Sequence, residues 1–338
     1  MISVGLIGYG YWGPNLARNL ARSKKLEHLS IADQDPSRRE EAARSFPSAT
    51  VVDGIKDLLK PGGPDAIAIA TPLSTHFELA MEALAAGRHV LIEKPIAASA
   101  EEAAQLIEFA DKQGLTLMVD HTFIYSSPVS EMARLVERNA LGSIHYFDSV
   151  RVNLGLFQHD TNVLWDLAVH DVSIMEYVLP QRPIAVSATG LSNLPNQHEN
   201  VAFMTLFFEG DRTIGHVHVN WLAPAKIRQT VLCGREKMVV YDDLQPAEPI
   251  RIYNKGVDLV RDPDSVRERL VSYRVGDVLS PHLKAQEPLG RCIDHYLDCI
   301  ETQAEPITSG AFGLSVVQVI EAAEKSLKRR GECVEIDR

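Results

Sequence analysis

The sequence has few of the features that mark membrane, secreted or nucleic-acid-binding proteins. Its 338 residues contain no apolar run of 18, and an apolar strand pattern follows Met1 directly, with no basic leader. The formal net charge is -11, and basic residues never run beyond two or three. Because binding to a phosphate backbone relies on clustered lysine and arginine, we expect no nucleic-acid partner, no membrane insertion and a cytoplasmic location.

Cysteine is also scarce. The four thiols, at positions 233, 292, 299 and 333, form no C-x-x-C pair. We therefore expect reduced, mostly buried side chains and neither a disulfide framework nor a zinc site. The rest of the composition, 45% hydrophobic and 23% charged residues, is typical of a globular protein, and the length suggests two domains.

The two parts of the chain differ in their hydrophobic pattern. From residue 2 to about 120, short apolar runs alternate with amphipathic helical stretches, which predicts an α/β domain with a doubly wound parallel sheet over residues 1–122. Strand patterns separated by turn residues fill about 183–254, which indicates an α+β domain with an open, largely antiparallel sheet over residues 123–338. We expect the second sheet to cover one face by pairing with another subunit.

The stretch VGLIGYGYWGPNLARNLA, residues 4–21, contains a Gly-x-Gly-x-x-Gly run at Gly8, Gly10 and Gly13. The run follows a strand pattern and opens a helix pattern, and Asp33 ends the next strand about 20 residues further on. This context predicts a dinucleotide site, with a tight turn at the first glycine, close backbone approach at the second and helix packing at the third. The alternative is a glycine turn that binds nothing.

Asp33 also indicates which nicotinamide cofactor is bound. Its carboxylate is placed to accept hydrogen bonds from the adenosine ribose and to repel a 2′-phosphate, which favours NAD over NADP. Arg38 and Arg39 lie a few residues on and are able to soften that exclusion.

Two further predicted strands end in polar residues, in AIAIATPLSTH and HVLIEKPIA. Ligands of an open parallel sheet bind beyond the carboxyl ends of its strands, so both segments are expected to face the cofactor. Lys94 is placed to hydrogen-bond and polarise a substrate oxygen, and Pro95 fixes the backbone that aims it. Taken alone, Glu93-Lys94 is equally a surface ion pair before a helix.

Another polar pair lies in NVLWDLAVHDVSIMEYVL, a predicted helix that is apolar on almost every side. Asp166 and His170 are four residues apart and so share one face of an α-helix. Imidazole titrates near neutral pH, so His170 suits proton transfer from a carbinol, with Asp166 orienting the substrate or raising the basicity of the ring. The alternative is an Asp–His hydrogen bond buried in the core.

The motifs IGYGYWG, ATPLSTH, EKP and WDLAVHD together resemble the glucose–fructose oxidoreductase/inositol dehydrogenase/MocA (Gfo/Idh/MocA) family, and the similarity runs over essentially the whole chain. HTFIY, VRVNLGLFQHDTNVLWDLAVHD and SYRVGD look most like sugar-nucleotide 3-dehydrogenases, which act on UDP-N-acetylglucosamine or its uronic acid. The resemblance implies an N-terminal Rossmann domain, an open C-terminal sheet that builds homodimers or homotetramers, and a cis peptide bond at Lys94-Pro95. It also implies catalytic roles for Lys94, Asp166 and His170.

The chain departs from this family pattern in two places. VDHTF has Asp120 where a small residue is expected, and YSSPV stands where similar proteins often have Asn-Pro-Ala. Both departures affect the local shape of the pocket rather than the chemistry.

Motifs and resemblance together give two sets of candidate site residues. The predicted cofactor-binding residues are Gly8, Gly10, Tyr11, Trp12, Gly13, Asp33, Thr71, Pro72, His76, Glu93 and Lys94. The predicted substrate-binding residues are Lys94, His121, Arg151, Asn153, Asn162, Asp166 and His170, with His159, Trp221, Lys226, Arg228, Tyr125 and Tyr273 as further candidates. Ordinary strand and loop polarity explains each of the non-catalytic substrate residues equally well.

The sequence therefore predicts an NAD-dependent dehydrogenase that moves a hydride between nicotinamide and a secondary hydroxyl, C3 of a nucleotide-linked sugar. A free sugar or inositol is the alternative substrate. A metal hydrolase using the His-Asp dipeptides at 159–160 and 170–171 is a rival, but it lacks a third ligand set, and we predict no metal. A cofactor-binding sensor is a second rival, and the presence of Lys94, Asp166 and His170 argues against it.

Overall fold

A computed structural model describes residues 1–155, 161–193, 198–210, 212–261 and 269–337. The chain folds into two compact units. The N-terminal unit comprises Met1–Ser126 and Gln286–Glu321, and the C-terminal unit comprises Ser127–Ala285 and Ala322–Asp337. No helix in the described ranges is long and apolar enough to cross a membrane.

The N-terminal unit is built on a six-stranded parallel sheet. Its strands are β1 (Ile2–Ile7), β2 (Leu26–Ala32), β3 (Thr50–Val52), β4 (Ala66–Ile69), β5 (His89–Glu93) and β6 (Leu117–Asp120). Their spatial order is β3-β2-β1-β4-β5-β6, the doubly wound order of a dinucleotide-binding sheet, which confirms the predicted fold class.

Five helices connect these strands. They are α1 (Gly13–Arg22), α2 (Pro36–Ser45), α3 (Ile55–Leu58), α4 (His76–Ala85) and α5 (Ala100–Gln113). Capping residues define several ends: Asp35 and Ser99 accept hydrogen bonds from backbone N–H groups in the first turns of α2 and α5, and Gly114 ends α5 in the left-handed conformation. The single turn α3 is too short to show a helical period, and the sequence did not predict it.

The C-terminal unit contains a nine-stranded mixed sheet among its described residues, ordered β16-β13-β12-β11-β7-β10-β9-β8-β17. These strands are β7 (Ile144–Leu154), β8 (Ala185–Leu191), β9 (Val201–Phe207), β10 (Ile214–Asn220), β11 (Leu222–Gly234), β12 (Met238–Asp242), β13 (Ile250–Tyr253), β16 (Val278–Leu279) and β17 (Val334–Glu335); β14 (Gly256–Arg261) and β15 (Arg269–Arg274) form a separate hairpin. The prediction of a largely antiparallel sheet is confirmed. A simple meander does not describe it, because β7 lies between β11 and β10 and runs parallel to β10.

Two helices of the C-terminal unit, α6 (Ser127–Glu137) and α7 (Val169–Val178), pack against each other and contact β12 and β7. The helix predicted over about 162–179 is present, but its first turn, Leu164–Ala168, is π-helical rather than α-helical. The side-chain oxygen of Asn162 accepts hydrogen bonds from the N–H groups of Leu164 and Trp165 at 3.0 and 3.4 Å, which fixes this start. Because π turns close between residues i and i+5, the four-residue spacing of Asp166 and His170 no longer equals one α-helical turn.

The last two helices are α8 (Pro288–Thr302) and α9 (Gly310–Lys328). The sequence predicts one domain over 123–338, whereas residues 286–321 pack with the N-terminal unit and the boundary falls inside α9. Apolar burial explains the placement of α8, whose Ile293, Tyr296 and Leu297 are fully buried. Hydrophobic periodicity identifies such a helix but does not indicate which sheet it covers.

A buried ion pair joins β7 to α7. Arg151, 3% exposed, donates from Nε and Nη2 to the carboxylate of Asp171 at 2.8 and 3.1 Å, and the hydroxyl of Ser149 donates to the same carboxylate at 2.7 Å. Bidentate geometry of this kind compensates for the desolvation of both charges.

Replacing Asp171 with Ala is expected to lower the free energy of unfolding by about 3–5 kcal/mol, because the Arg151 guanidinium stays buried without its carboxylate. The double replacement Arg151→Met with Asp171→Leu is expected to recover most of that loss. Urea unfolding followed by circular dichroism measures both. Lys112→Ala, which removes the exposed pair with Glu108, is the control and should cost less than about 0.5 kcal/mol. Equal losses of unfolding free energy in Asp171→Ala and Lys112→Ala would contradict a stabilising role for the buried pair.

Candidate active site

The glycine loop between β1 and α1 requires glycine at two positions. Gly8 has φ +93°, and a Cβ atom there would lie 2.5 Å from the carbonyl oxygen of Ala70 after β4. A Cβ atom on Gly13 would lie 2.2 Å from the carbonyl oxygen of Gly8. Neither contact is sterically possible, so the glycines allow α1 to start directly against the ends of β1 and β4, as the fingerprint predicts.

The start of α1 fits an anionic group. The helix has no side-chain cap and no acidic residue in its first turn, so the partial positive charge of its N-terminus is not neutralised. Trp12 precedes the helix, and its indole Nε1 is buried without a hydrogen-bond partner in the described structure. Tyr11, beside it, is 84% exposed. The loop therefore has the close backbone, the free dipole and an unused donor that a dinucleotide would engage.

Asp33 is held in place at the end of β2. It is 8% exposed, and its carboxylate accepts hydrogen bonds from the N–H groups of Tyr9 at 2.6 Å and Asp35 at 2.8 Å. Arg38 lies 3.7 Å from the same carboxylate, and its guanidinium would be 3.2 Å from a Cβ atom on Gly10. A cation thus stands beside the residue predicted to exclude a 2′-phosphate, whereas Arg39 binds the backbone carbonyl of Asp33.

The segment after β4 is tied to the segment after β5 through His76. The buried imidazole lies 2.9 Å from the carbonyl oxygens of both Thr71 and Pro95. The hydroxyl of Thr75 donates to that of Thr71 at 2.7 Å, which fixes the turn containing Pro72. These contacts give His76 a supporting position between two strand ends.

Lys94 follows β5 directly, and its peptide bond to Pro95 is cis, as the family resemblance implied. Glu93 and Asp120 are register partners at the ends of β5 and β6. Burial and the neighbouring Asp120 raise the pKa of Glu93 well above its usual range, while Lys94 opposes the shift. The sequence marked Asp120 only as a departure from the family pattern and did not identify it as a partner of Glu93.

His121, the residue after β6, is buried as a neutral imidazole. Its ring packs edge-on against Phe312 with centroids 5.5 Å apart, and neither ring nitrogen has a hydrogen-bond partner in the described structure. Burial, reinforced by the charge of Lys94, lowers the pKa of His121 to about 3. A neutral ring next to a cation offers one donor and one acceptor for a bound polar group.

In the C-terminal unit, Asp166 is held by the indole of Trp221. The Nε1 of Trp221 donates to the Asp166 carboxylate at 2.9 Å, and Trp221 itself is fully buried. A Cβ atom on Gly155 would lie 2.6 Å from the indole ring, so glycine is needed for this placement. The amide of Asn153 borders the same glycine, and its oxygen is buried without a hydrogen-bond donor in the described structure.

The other predicted residues of this unit fall into different roles. His170 is the second residue of α7, and its carbonyl accepts a hydrogen bond from the hydroxyl of Ser173. Arg151 binds Asp171 and Asn162 starts the π turn, so the structure gives both of them structural contacts. His159 and Asp160 lie outside the described residues. Within the described ranges, no group of three His, Cys, Asp or Glu side chains is arranged to hold a metal ion.

The four cysteines are free, as predicted, but only Cys292 and Cys299 are buried; Cys233 is half-buried and Cys333 is exposed.

Fold and glycine loop together define an NAD-binding oxidoreductase. Residues 2–121 match the oxidoreductase family with an NAD-binding Rossmann fold, and residues 129–240 match the GFO/IDH/MocA C-terminal domain. The chain belongs to the Gfo/Idh/MocA family of oxidoreductases.

Several characterised proteins are similar over their full length. The NADP-dependent scyllo-inositol 2-dehydrogenase IolW of Bacillus subtilis is 25% identical, with 97% of this chain and 94% of the relative covered. The UDP-N-acetylglucosamine 3-dehydrogenase of Acidithiobacillus ferrooxidans is 27% identical, with 96% and 98% covered. The solved structure of GenD2 from gentamicin A biosynthesis, in complex with NAD, superimposes with a TM-score of 0.82 at 24% identity over 100% of this chain and 97% of that one, which shows the shared fold.

Acidification is expected to destabilise the protein through His121. The unfolded side chain takes up a proton below about pH 6.5, whereas the folded one does so only near pH 3, so stability falls as the pH drops through this window. Between pH 7 and pH 5 this contributes a loss of about 2 kcal/mol. His121→Gln should remove that part of the pH dependence in urea titrations at the two pH values. His28→Gln, at an exposed position, is the control. If the free energy of unfolding changed equally with pH in the parent and in His121→Gln, His121 would not be the source of the pH dependence.

Proposed function

We propose that the protein is an NAD-dependent dehydrogenase that oxidises a ring hydroxyl, at C3, of a nucleotide-linked sugar. The observation that carries the proposal is Lys94, fixed at the end of β5 in the unit that contains the glycine loop, with the neutral His121 beside it. Two relatives support the substrate class, since their names describe dehydrogenases of a cyclitol and of a UDP-linked amino sugar.

The proposed catalytic side chains then have different roles. NAD, when bound at the glycine loop, would supply the nicotinamide that accepts the hydride. Lys94 hydrogen-bonds the carbinol oxygen and stabilises the negative charge that develops there. His170 accepts the hydroxyl proton, and Asp166, fixed by Trp221, orients the substrate or the ring of His170.

The nucleotide part of the substrate has candidate ligands on β11. Lys226 is exposed, and Arg228, two residues on, is half-buried with its guanidinium 3.2 Å from Asp243. The two cations are close in sequence near the irregular part of β11, between Leu222 and Ile227, and together they suit a diphosphate. If Lys226 and Arg228 do not bind a diphosphate, inositol or a free sugar is the alternative substrate.

Arg38 bears on cofactor choice. Because it stands between Gly10 and the Asp33 carboxylate, it can pair with a 2′-phosphate that Asp33 alone would repel. We therefore propose NAD as the main cofactor with measurable use of NADP.

We also propose that the open face of the C-terminal sheet forms a homodimer or homotetramer. Phe203 and Ile214 are 41% and 47% exposed on neighbouring strands, and Phe203 stacks on His218 with ring centroids 4.3 Å apart. An apolar and aromatic strip of this kind is costly to leave in water.

A panel of nucleotide sugars, hexoses and inositols, each incubated with NAD, is expected to give NADH with a UDP-linked amino sugar or uronic acid. Lys94→Ala should bind NAD as the parent does but lose at least about 100-fold in turnover, the range found for removal of one group that stabilises developing charge. Lys112→Ala on the exposed face of α5 is the matched control. NADH formation by Lys94→Ala at the parental rate would overturn the mechanism, and a panel with no product would favour a sensor.

Trp221→Phe tests the support of Asp166. The substitution keeps an aromatic ring beside Gly155 but removes the N–H donor to the carboxylate. We expect kcat to fall about tenfold, with the Kd for NAD unchanged, because the loss affects orientation in the transition state. Unchanged kcat together with a weakened Kd for NAD would place Trp221 in cofactor binding.

A further inference from the structure

A pair of carboxyl groups, that of the buried Asp120 and that of the half-buried Glu93, lies directly beside Lys94. Glu93 and Asp120 are register partners on the adjacent parallel strands β5 and β6, so their side chains leave the sheet on the same side. Glu93 Oε1 and Asp120 Oδ2 are both buried, and neither has a hydrogen-bond donor in the described structure. Burial, together with the negative charge of the neighbouring Asp120, raises the pKa of Glu93 well above its usual range.

Two ionised carboxylates are not stable in such an arrangement. Like charges in a buried site repel strongly. Each buried oxygen without a hydrogen-bond donor is also destabilised by the loss of its hydration. One proton between the two oxygens removes both costs, because one group then donates to the other. The pair therefore holds one proton and one negative charge.

The surrounding donors decide which group is the acid. Asp120 Oδ1 accepts hydrogen bonds from the hydroxyl of Thr122 at 2.6 Å and from the thiol of Cys292 at 3.3 Å. Burial and Asp120 raise the pKa of Cys292 well above its usual range, so its sulfur keeps the proton that it donates. Two donors stabilise a negative charge on Asp120, and the proton belongs on Glu93.

The charge state of Glu93 matters for its neighbour in sequence. Lys94 is close enough to lower the pKa of Glu93, against the effects of burial and of Asp120. An ionised Glu93 would form a strong ion pair with this ammonium and compete with a substrate oxygen for it. The other titratable groups around the pair are Tyr125, Cys292 and His121, and burial keeps all three neutral.

We propose that Asp120 is a positioning residue that acts through Glu93. It accepts a hydrogen bond from the protonated Glu93, keeps that side chain uncharged and so directs the Lys94 ammonium to the substrate oxygen. The inference rests on the proposed function in one respect, that Lys94 polarises this oxygen. The inference goes beyond the proposed function by giving a role to Asp120, where the family pattern has a small residue.

Infrared spectroscopy of the protein without substrate tests the shared proton. The parent is expected to show a carboxylic acid C=O band at pH 7 that shifts in D2O. The band should disappear in Glu93→Gln, which has no acid at this position. It should also disappear in Asp120→Asn, where the amide donates to Glu93 and lets it ionise. Glu108→Gln, an exposed substitution, should keep the band.

A parent spectrum without the acid band at pH 7 would overturn the proposal, whatever the variants do. This measurement uses no turnover, so its failure is distinct from a failure of the dehydrogenase assay.

A double-mutant cycle tests the effect on Lys94. Asp120→Asn is expected to lower kcat at least about tenfold, with little change in the Kd for NAD, because an ionised Glu93 then holds the ammonium. In the Glu93→Gln background the same substitution should change kcat less than about twofold, since glutamine carries no charge. An equal loss in both backgrounds would reduce Asp120 to a structural residue and overturn its positioning role.

Discussion

The parallel hydrogen-bond ladder of β1 to β6 is the constraint on which the candidate site residues of the N-terminal unit depend. It brings the carboxyl ends of six strands to one edge, where Gly8, Asp33, Thr71, Lys94 and His121 each follow a different strand. Because the sheet interior is apolar, every polar group at this edge needs a partner from a neighbouring strand end. The contacts of Asp33 with Tyr9 and of His76 with Thr71 and Pro95 meet that need. Glu93 Oε1, Asp120 Oδ2 and both ring nitrogens of His121 have no hydrogen-bond partner among the described residues.

The features that the sequence predicted well are those set by local spacing. The glycine fingerprint, the acidic residue ending β2 and the alternation of apolar runs with helices depend only on near neighbours, and the doubly wound sheet follows from them. The amphipathic helical patterns between these apolar runs correspond to α1, α2, α4 and α5. These features can be predicted because the geometry of a β-α-β unit allows little variation.

Features that depend on distant parts of the chain were missed. The π turn after Asn162 is a local feature, but hydrophobic periodicity does not distinguish it from an α-helical turn. Arg151 was predicted to face substrate, but Asp171, next to His170 in sequence, binds it inside the core. Cys292 was correctly predicted to be buried and reduced, yet its contact with Asp120 spans 172 residues and has no local signal. The sequence therefore identifies residue types that suit the site. Tertiary contacts decide which of these residues are instead held in structural hydrogen bonds and ion pairs.

The donors around Asp120 have a consequence for which substitutions the site tolerates. In a chain without Thr122 and Cys292, a carboxylate introduced at position 120 would be buried with nothing to bind its outer oxygen. The hydroxyl and the thiol are tolerable beside a small residue at position 120, whereas the aspartate is tolerable only with them. Such dependence is epistasis with a direct physical cause.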